Sequence, residues 1–278
     1  EIQQLNLVRV WCITTSQERL IPEILVSLEG LPDHQLFPSA DTSGCAVHSD
    51  PNKCTDNALL EFCERQASFA SWYGPWTTTE ITHSKITSSH LEAIANCGRI
   101  RLFDIGGPFG VPILLSIFQS ESSSSLVKFA AGLGAAWDRR EAITKSLNEL
   151  YQLYELTYFS AKGEIRDPHN LLQHNCHESA VNWPFIGQQP NSKISELTYL
   201  SIEMPERAGL IERLEKSGIR VQIFLDRLQL PSASLYVAKV LSPDAFLSSM
   251  GKLHNNYNNR FSQTSFINSD KSRPCILF

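Results

Sequence analysis

The chain has 278 residues, 24 Lys and Arg against 29 Asp and Glu, a formal net charge of −5, and hydrophobic and charged fractions of 42% and 19%. That balance fits a globular protein whose core fills one large domain or two, and no stretch is rich enough in Lys and Arg to make nucleic acid the main partner. No apolar run reaches membrane-spanning length, no signal peptide is present, and the seven cysteines are scattered without a CxxC pair. Together these point to a reducing, cytoplasmic compartment and away from a membrane, a disulfide scaffold or a zinc ribbon.

The first residue is Glu1, and EIQQLNLVRVWCITT already reads as ordered core, so the chain looks like the later part of something longer. Leu5 to Thr15 alternates as a strand, and Leu20 to Leu28 is a second apolar strand with Pro22 near its start. Leu31 to Ser49 reads as a loop in which Gly44 permits a tight turn. Asn57 to Trp72 reads as an amphipathic helix: Ala58, Leu59, Phe62, Cys63, Ala67 and Ala70 recur at three-to-four spacing, and Gly74-Pro75 is a stop signal. A shorter helix covers Ser89 to Cys97. Arg101 to Ile105 and Val111 to Phe118 are strands, and GGPFG between them is a turn rather than a phosphate loop, because the Gly-Lys-Ser/Thr ending and the following helix are missing.

Ser122 to Ser125 reads as a surface linker, and FAAGLGAA supplies small residues ahead of a long helix, WDRREAITKSLNELYQLYELTYFS. Asp138 is its natural N-cap, with Glu141 three residues on. Gly163 to Ser192 is polar and irregular. His169, His174, Cys176 and His177 crowd there without finger spacing, and a surface loop is the default over a metal site. Leu197 to Ile202 reads as a strand, Pro205 to Ser217 as a helix capped by Gly218, and Val221 to Leu225 and Ser234 to Val240 as strands. Helices and strands mix without strict βαβ alternation, which predicts an α+β fold of mixed or antiparallel sheets flanked by helices.

Two groups of residues carry candidate chemistry. Glu61, Glu64 and Arg65 stand at i, i+3 and i+4 and leave the helix as neighbours. Two carboxylates can ligate a hard cation such as Mg²⁺ while a guanidinium contacts phosphate oxygens; on spacing alone a solvated charged face is the default. Lys145 and Glu149 stand at i and i+4 on the later helix, where an ordinary ion pair is the default. No GxSxG elbow and no recognisable cysteine nucleophile beside a histidine is present.

Several stretches taken in order resemble the YcaO family, enzymes that use ATP and Mg²⁺ to activate a peptide amide oxygen. They are Ser43 to Ala46, ALLEFCER, the Gly-Leu-Gly segment leading into the Lys145/Glu149 helix, and YVAKVLSPDAF from Tyr236 to Phe246. The DTSGC opening, the Gln66 position and the use of Lys at 145 are most similar to cyclodehydratase subunits of the thiazole/oxazole-modified microcin type. The resemblance implies an ATP-dependent cyclodehydratase that turns Cys, Ser or Thr of a ribosomally made precursor peptide into azolines. It further implies a leader-peptide-binding partner protein and a flavin-dependent azoline dehydrogenase. Carried over by position, Glu61, Glu64, Arg65, Gln66, Ser49, Lys145 and Glu149 face the nucleotide, Glu61, Glu64 and Glu149 handle the metal, and the carboxylate of Phe278 serves as base.

The family's early Ser and paired-Glu helix is missing and would precede Glu1, so residues 1–278 are expected to form a single YcaO-like domain lacking the early part of the fold. Positions for a nucleotide-contacting Ser and a metal-binding acid fall instead on Ala46 and Lys53, and the tail ends around a single Pro274. The alternatives are a non-catalytic scaffold of the same fold, and a relative that forms thioamides or assists methylthiolation.

Overall fold

In a computed structural model, residues 6–27, 42–73, 78–82, 89–165, 192–203, 206–245 and 260–261 are described. The backbone divides into two compact units, one running up to Gln66 and resuming at Glu206, the other Ala67–Pro205. Each unit is built on its own five-stranded sheet.

The first sheet is antiparallel throughout. Its strands are β1 (Leu7–Cys12), β2 (Gln17–Pro22), β3 (Cys45–His48), β9 (Gln222–Gln229) and β10 (Ser234–Leu241), in the order β2-β1-β9-β10-β3. β1 falls inside the expected strand. β2 starts three residues earlier than the expected Leu20 and ends at Pro22, whose ring withholds the next ladder donor; Glu23–Leu25 then form a 3-10 turn. β3 lies inside the stretch expected to be a loop. Its short CAVH run gives little alternation to detect, and pairing with β10 defines it: Ala46 lies opposite Ala238 and Cys45 opposite Lys239. The helices assigned to this unit include α5 (Arg207–Lys216), which ends as expected in front of Gly218, at φ +79°. α1 (Pro51–Tyr73) starts in this unit, and the unit boundary falls within it after Gln66.

The second sheet has the order β7-β6-β5-β4-β8, with β4 (Thr79–Thr82), β5 (Arg99–Asp104), β6 (Ile113–Gln119), β7 (Phe129–Ala135) and β8 (Ser192–Ser195). All its pairs are antiparallel except β4 with β8. β5 and β6 bracket the GGPFG segment, which makes the expected turn with Gly110 in the left-handed region at φ +71°. α2 (Ser89–Ala95) and α3 (Arg139–Ala161) match the expected helices, and the Asp138 side chain accepts from the Glu141 amide at 2.9 Å. α4 (Glu196–Leu200) replaces the strand expected over Leu197 to Ile202. Ser195 caps it by accepting from the Thr198 amide, and this local bond outweighs the strand preference of Thr198 and Tyr199.

α3 lies across β7 and β6. Ala142, Ile143 and Leu147 join Ile81, Leu102, Leu114 and Tyr199 in one apolar cluster, while Leu150 joins Leu91, Ile100, Phe118 and Ala130 in another. Two glycines of β7 set the spacing. A Cβ on Gly132 would stand 2.2 Å from the Ser146 carbonyl oxygen and the Leu150 nitrogen; one on Gly134 would stand 2.4 Å from the Ser146 nitrogen. Helix backbone therefore approaches strand backbone where no side chain fits, and buried hydroxyls join the two. Ser146 Oγ donates to the Gly132 carbonyl at 3.0 Å, and Ser116 Oγ donates to the Ser146 carbonyl at 2.8 Å.

Candidate nucleotide-site residues

α1 starts at Pro51, six residues before the expected start. Asp50 holds the first turn, accepting from the Asn52 amide at 2.8 Å and the Lys53 amide at 3.2 Å. Those amide bonds lead the influences that hold the Asp50 carboxyl below the usual carboxylate range. Cys54 ties the helix to the first sheet, its Sγ donating to the carbonyls of Ala46 at 3.3 Å and Tyr236 at 3.1 Å. Ser49 is exposed just ahead of the helix, and Lys53 is exposed in its first turn.

Beyond that turn the helix is not amphipathic. From Ala58 to Ser71 every side chain is buried except Glu61 and Arg65, which are half-buried. Glu64 is 9% exposed and Gln66 2%. The default of a solvated charged face is thus overturned: the helix is packed nearly all round, and it carries a carboxylate into that packing. Removing a carboxylate from water is costly unless cations or hydrogen-bond donors meet it, so Glu64 is a strong candidate for a specific interaction. With Glu61 one turn earlier and partly open, the face offers two oxygen-donor side chains and a guanidinium at Arg65. That donor set suits Mg²⁺, which binds through one or two carboxylates and completes its shell with water and phosphate oxygens.

The second set lies on α3, in the other unit, and here the expected ion pair is replaced. Lys145 Nζ lies 3.0 Å from Glu141 Oε1, not on Glu149, and donates to the Ala135 carbonyl at 3.2 Å. Glu149 Oε2 accepts from the Leu133 amide at 3.1 Å. Both thus reach backbone groups of β7, which is an edge strand of its sheet. Lys145 and Glu149 are both exposed, so each tethers α3 to the strand edge while presenting charge to water.

Phe278, and the His169, His174, Cys176 and His177 group, lie outside the described residues. Among the described residues no three His, Cys, Asp or Glu side chains gather into a metal cluster, no disulfide is formed, and no helix is long and apolar enough to cross a membrane.

Two further ionic clusters in the second unit were not expected from sequence. Glu80 on β4 is 6% exposed along its side chain and receives Arg101 Nε at 2.8 Å and Lys193 Nζ at 2.9 Å. The Arg101 hydrogen bond, with help from Lys193, pulls its carboxyl down to about 2. Asp104 lies 3.6 Å from Arg139 Nη1, whose guanidinium covers the Tyr199 ring at 4.4 Å. Burial outweighs that cation and the Gly106 amide, and the Asp104 carboxyl is pushed above its ordinary range. The first joins three strands and the second joins a strand to two helices, all distant in sequence, where no motif announces them.

The helix-borne carboxylates and the two-sheet α+β fold define a class, and comparison with known proteins supplies it: the chain belongs to the YcaO family. The family model described as YcaO cyclodehydratase, ATP- and Mg²⁺-binding, matches residues 1–245. The chain is therefore an ATP- and Mg²⁺-dependent cyclodehydratase. Among curated proteins it is similar to the microcin B17-processing protein McbD of Escherichia coli, at 25% identity over 272 residues, 92% of this chain and 68% of that protein. Among solved structures it is similar to a chain of the E. coli microcin synthetase McbBCD complex, with a TM-score of 0.75, 25% identity, and coverage of 92% of this chain and 69% of that one. It shares its fold with YcaO from Methanopyrus kandleri bound with AMPPCP and Mg²⁺, with a TM-score of 0.60 at 16% identity over 99% of this chain and 71% of that one.

Proposed function

We propose that this chain is the cyclodehydratase subunit of a synthetase that forms azoline rings in a ribosomally made precursor peptide. The observation that carries the reading is Glu64, a carboxylate only 9% exposed on a family helix that also presents Glu61 and Arg65. In this reading a Cys, Ser or Thr side chain of the substrate attacks the carbon of the preceding amide. The oxygen of that tetrahedral adduct takes the γ-phosphoryl group of ATP, and loss of phosphate leaves the ring. Phosphoryl transfer of this kind depends on positioning and charge neutralisation more than on a protein nucleophile.

Glu61 and Glu64 hold the metal, which when bound neutralises charge on the phosphates. Arg65 and Gln66 are proposed to orient phosphate oxygens and Ser49 to supply a polar contact at the start of the helix; Lys145 and Glu149 are proposed, by their family positions, as nucleotide-facing residues. The similarity to a chain of the McbBCD complex supports partner proteins; a leader-peptide-binding protein and a flavin-dependent azoline dehydrogenase are the partners proposed.

The test is to incubate the full-length protein and its partner with precursor peptide and Mg-ATP, and to weigh the peptide. Loss of one water mass per modified residue, matched by phosphate release, is expected. Glu61→Gln and Glu64→Gln lower both by about a hundredfold or more, in line with removing a preorganised electrostatic group, while the thermal midpoint stays near wild type. Undiminished turnover in either variant would refute the assignment of the metal-binding residues.

A further inference from the structure

Lys239 lies on β10 with only 6% of its surface exposed. Lysine is almost never buried to that degree unless its charge is used, because the ammonium loses its hydration. Here Nζ donates to the Ser43 carbonyl at 2.6 Å, a short charge-assisted bond between residues 196 positions apart.

Ser43 belongs to a turn closed by the Cys45 amide on the Thr42 carbonyl at 3.0 Å. Gly44 follows at φ +70°. The next residue of β10 grips the same turn, since the Val240 amide donates to the Gly44 carbonyl at 2.8 Å. The fit at Gly44 is close on the β10 side, where a Cβ would stand 2.6 Å from the Val240 carbonyl oxygen, while Phe62 Cβ would lie at an ordinary contact distance of 3.4 Å from it. Phe62 sits between Glu61 and Glu64 on α1. β10 therefore holds the Thr42–Gly44 turn beside the turn of α1 that carries both carboxylates, and the ammonium of Lys239 is one of its fastenings.

An apolar side chain of the same length would fill the space beside β10 without a buried charge, and such exchanges are commonly neutral or favourable for stability. Stability alone does not account for a lysine here. We propose that Lys239 is a positioning residue for the Mg-ATP site. By fixing the Ser43 carbonyl it sets the seat of the Glu61–Glu64 turn, and with it the affinity for Mg-ATP. This rests on the reading of Glu61 and Glu64 given above.

The experiment measures phosphate release against Mg-ATP concentration for the full-length protein with its partner and precursor peptide. Lys239→Met, Glu61→Gln and an exposed control, Lys216→Met, are compared with wild type. Lys239→Met is expected to raise KM for Mg-ATP about ten- to a hundredfold, the worth of a hydrogen bond to a charged group, with the thermal midpoint close to wild type and Lys216→Met unchanged. A folded Lys239→Met with wild-type KM, alongside an inactive Glu61→Gln, overturns the role of Lys239 and leaves the site standing. Full turnover by Glu61→Gln overturns the site, and the role of Lys239 with it. Should Lys239→Met fail to fold, Lys239→Arg decides. The longer fork keeps the charge but displaces the Ser43 carbonyl, so a folded protein with raised KM supports positioning, and a wild-type KM overturns it.

Discussion

Replacing Gly132 by Ala adds one methyl group where the backbone of α3 comes closest to the backbone of β7. That methyl would meet the Ser146 carbonyl oxygen and the Leu150 nitrogen, both at 2.2 Å and both backbone. Neither can rotate away, so α3 must retreat by roughly 1 Å or more to reach ordinary contact. Overpacking of this sort costs about 1–3 kcal/mol. The retreat also stretches the Ser146 Oγ bond to the Gly132 carbonyl and the Ser116 Oγ bond to the Ser146 carbonyl, now 3.0 and 2.8 Å, each worth about 1 kcal/mol. The expected loss is about 3–5 kcal/mol, a large part of a typical domain's stability. The same change at Gly209 should act the other way. It lies in α5 with nothing within 4 Å of the added Cβ, so Ala gains about 0.5–1 kcal/mol of helix preference. Urea unfolding followed by far-UV circular dichroism measures both. A Gly132→Ala midpoint at or above wild type would show that the close backbone packing of α3 on β7 is not what these glycines serve.

Acid stability is expected to depend on Glu80. Its carboxyl, drawn down to about 2 by Arg101 and Lys193, sits just over two units below an ordinary glutamate, worth about 3 kcal/mol. A depressed carboxyl stabilises fully above its unfolded pKa, so this contribution is lost as pH falls from about 4.5 towards 2. Glu80→Gln should lower stability at pH 7 and flatten the acid limb; unfolding curves at pH 7 and pH 3 with the same slope as wild type would contradict it. Glu149→Gln separates the two tasks of its side chain. The amide oxygen can still accept from the Leu133 amide, so the thermal midpoint should hold, whereas loss of the charge should lower ATP turnover about a hundredfold. Turnover that survives the exchange would leave Glu149 a tether and nothing more.

Local signals in the sequence survive in the structure where a bond between near neighbours decides the outcome. Asp138 caps α3 through the amide three residues on, and Gly218 follows α5 in the left-handed region. The start of α1 carried such a signal too, Asp50 as cap and Pro51 in the first turn. PNKCTD itself has no apolar rhythm to carry the expected helix back to that cap. What periodicity cannot deliver is the surroundings of an element. FAAGLGA has no strand alternation because β7 is buried on both faces and needs glycine where α3 crosses it. β8 is defined by its parallel pairing with β4, more than a hundred residues away. The same limit bears on the site. EFCER has the spacing of a surface helix, and only the packing shows Glu64 inside, with Glu61 and Arg65 left as the partial openings between Ala58 and Ser71. A carboxylate only 9% exposed on this helix is not explained by helix preference alone. In the proposed reading a cation and phosphates complete its environment during turnover, with the exposed Lys53 of the first turn contributing no oxygen donor to it.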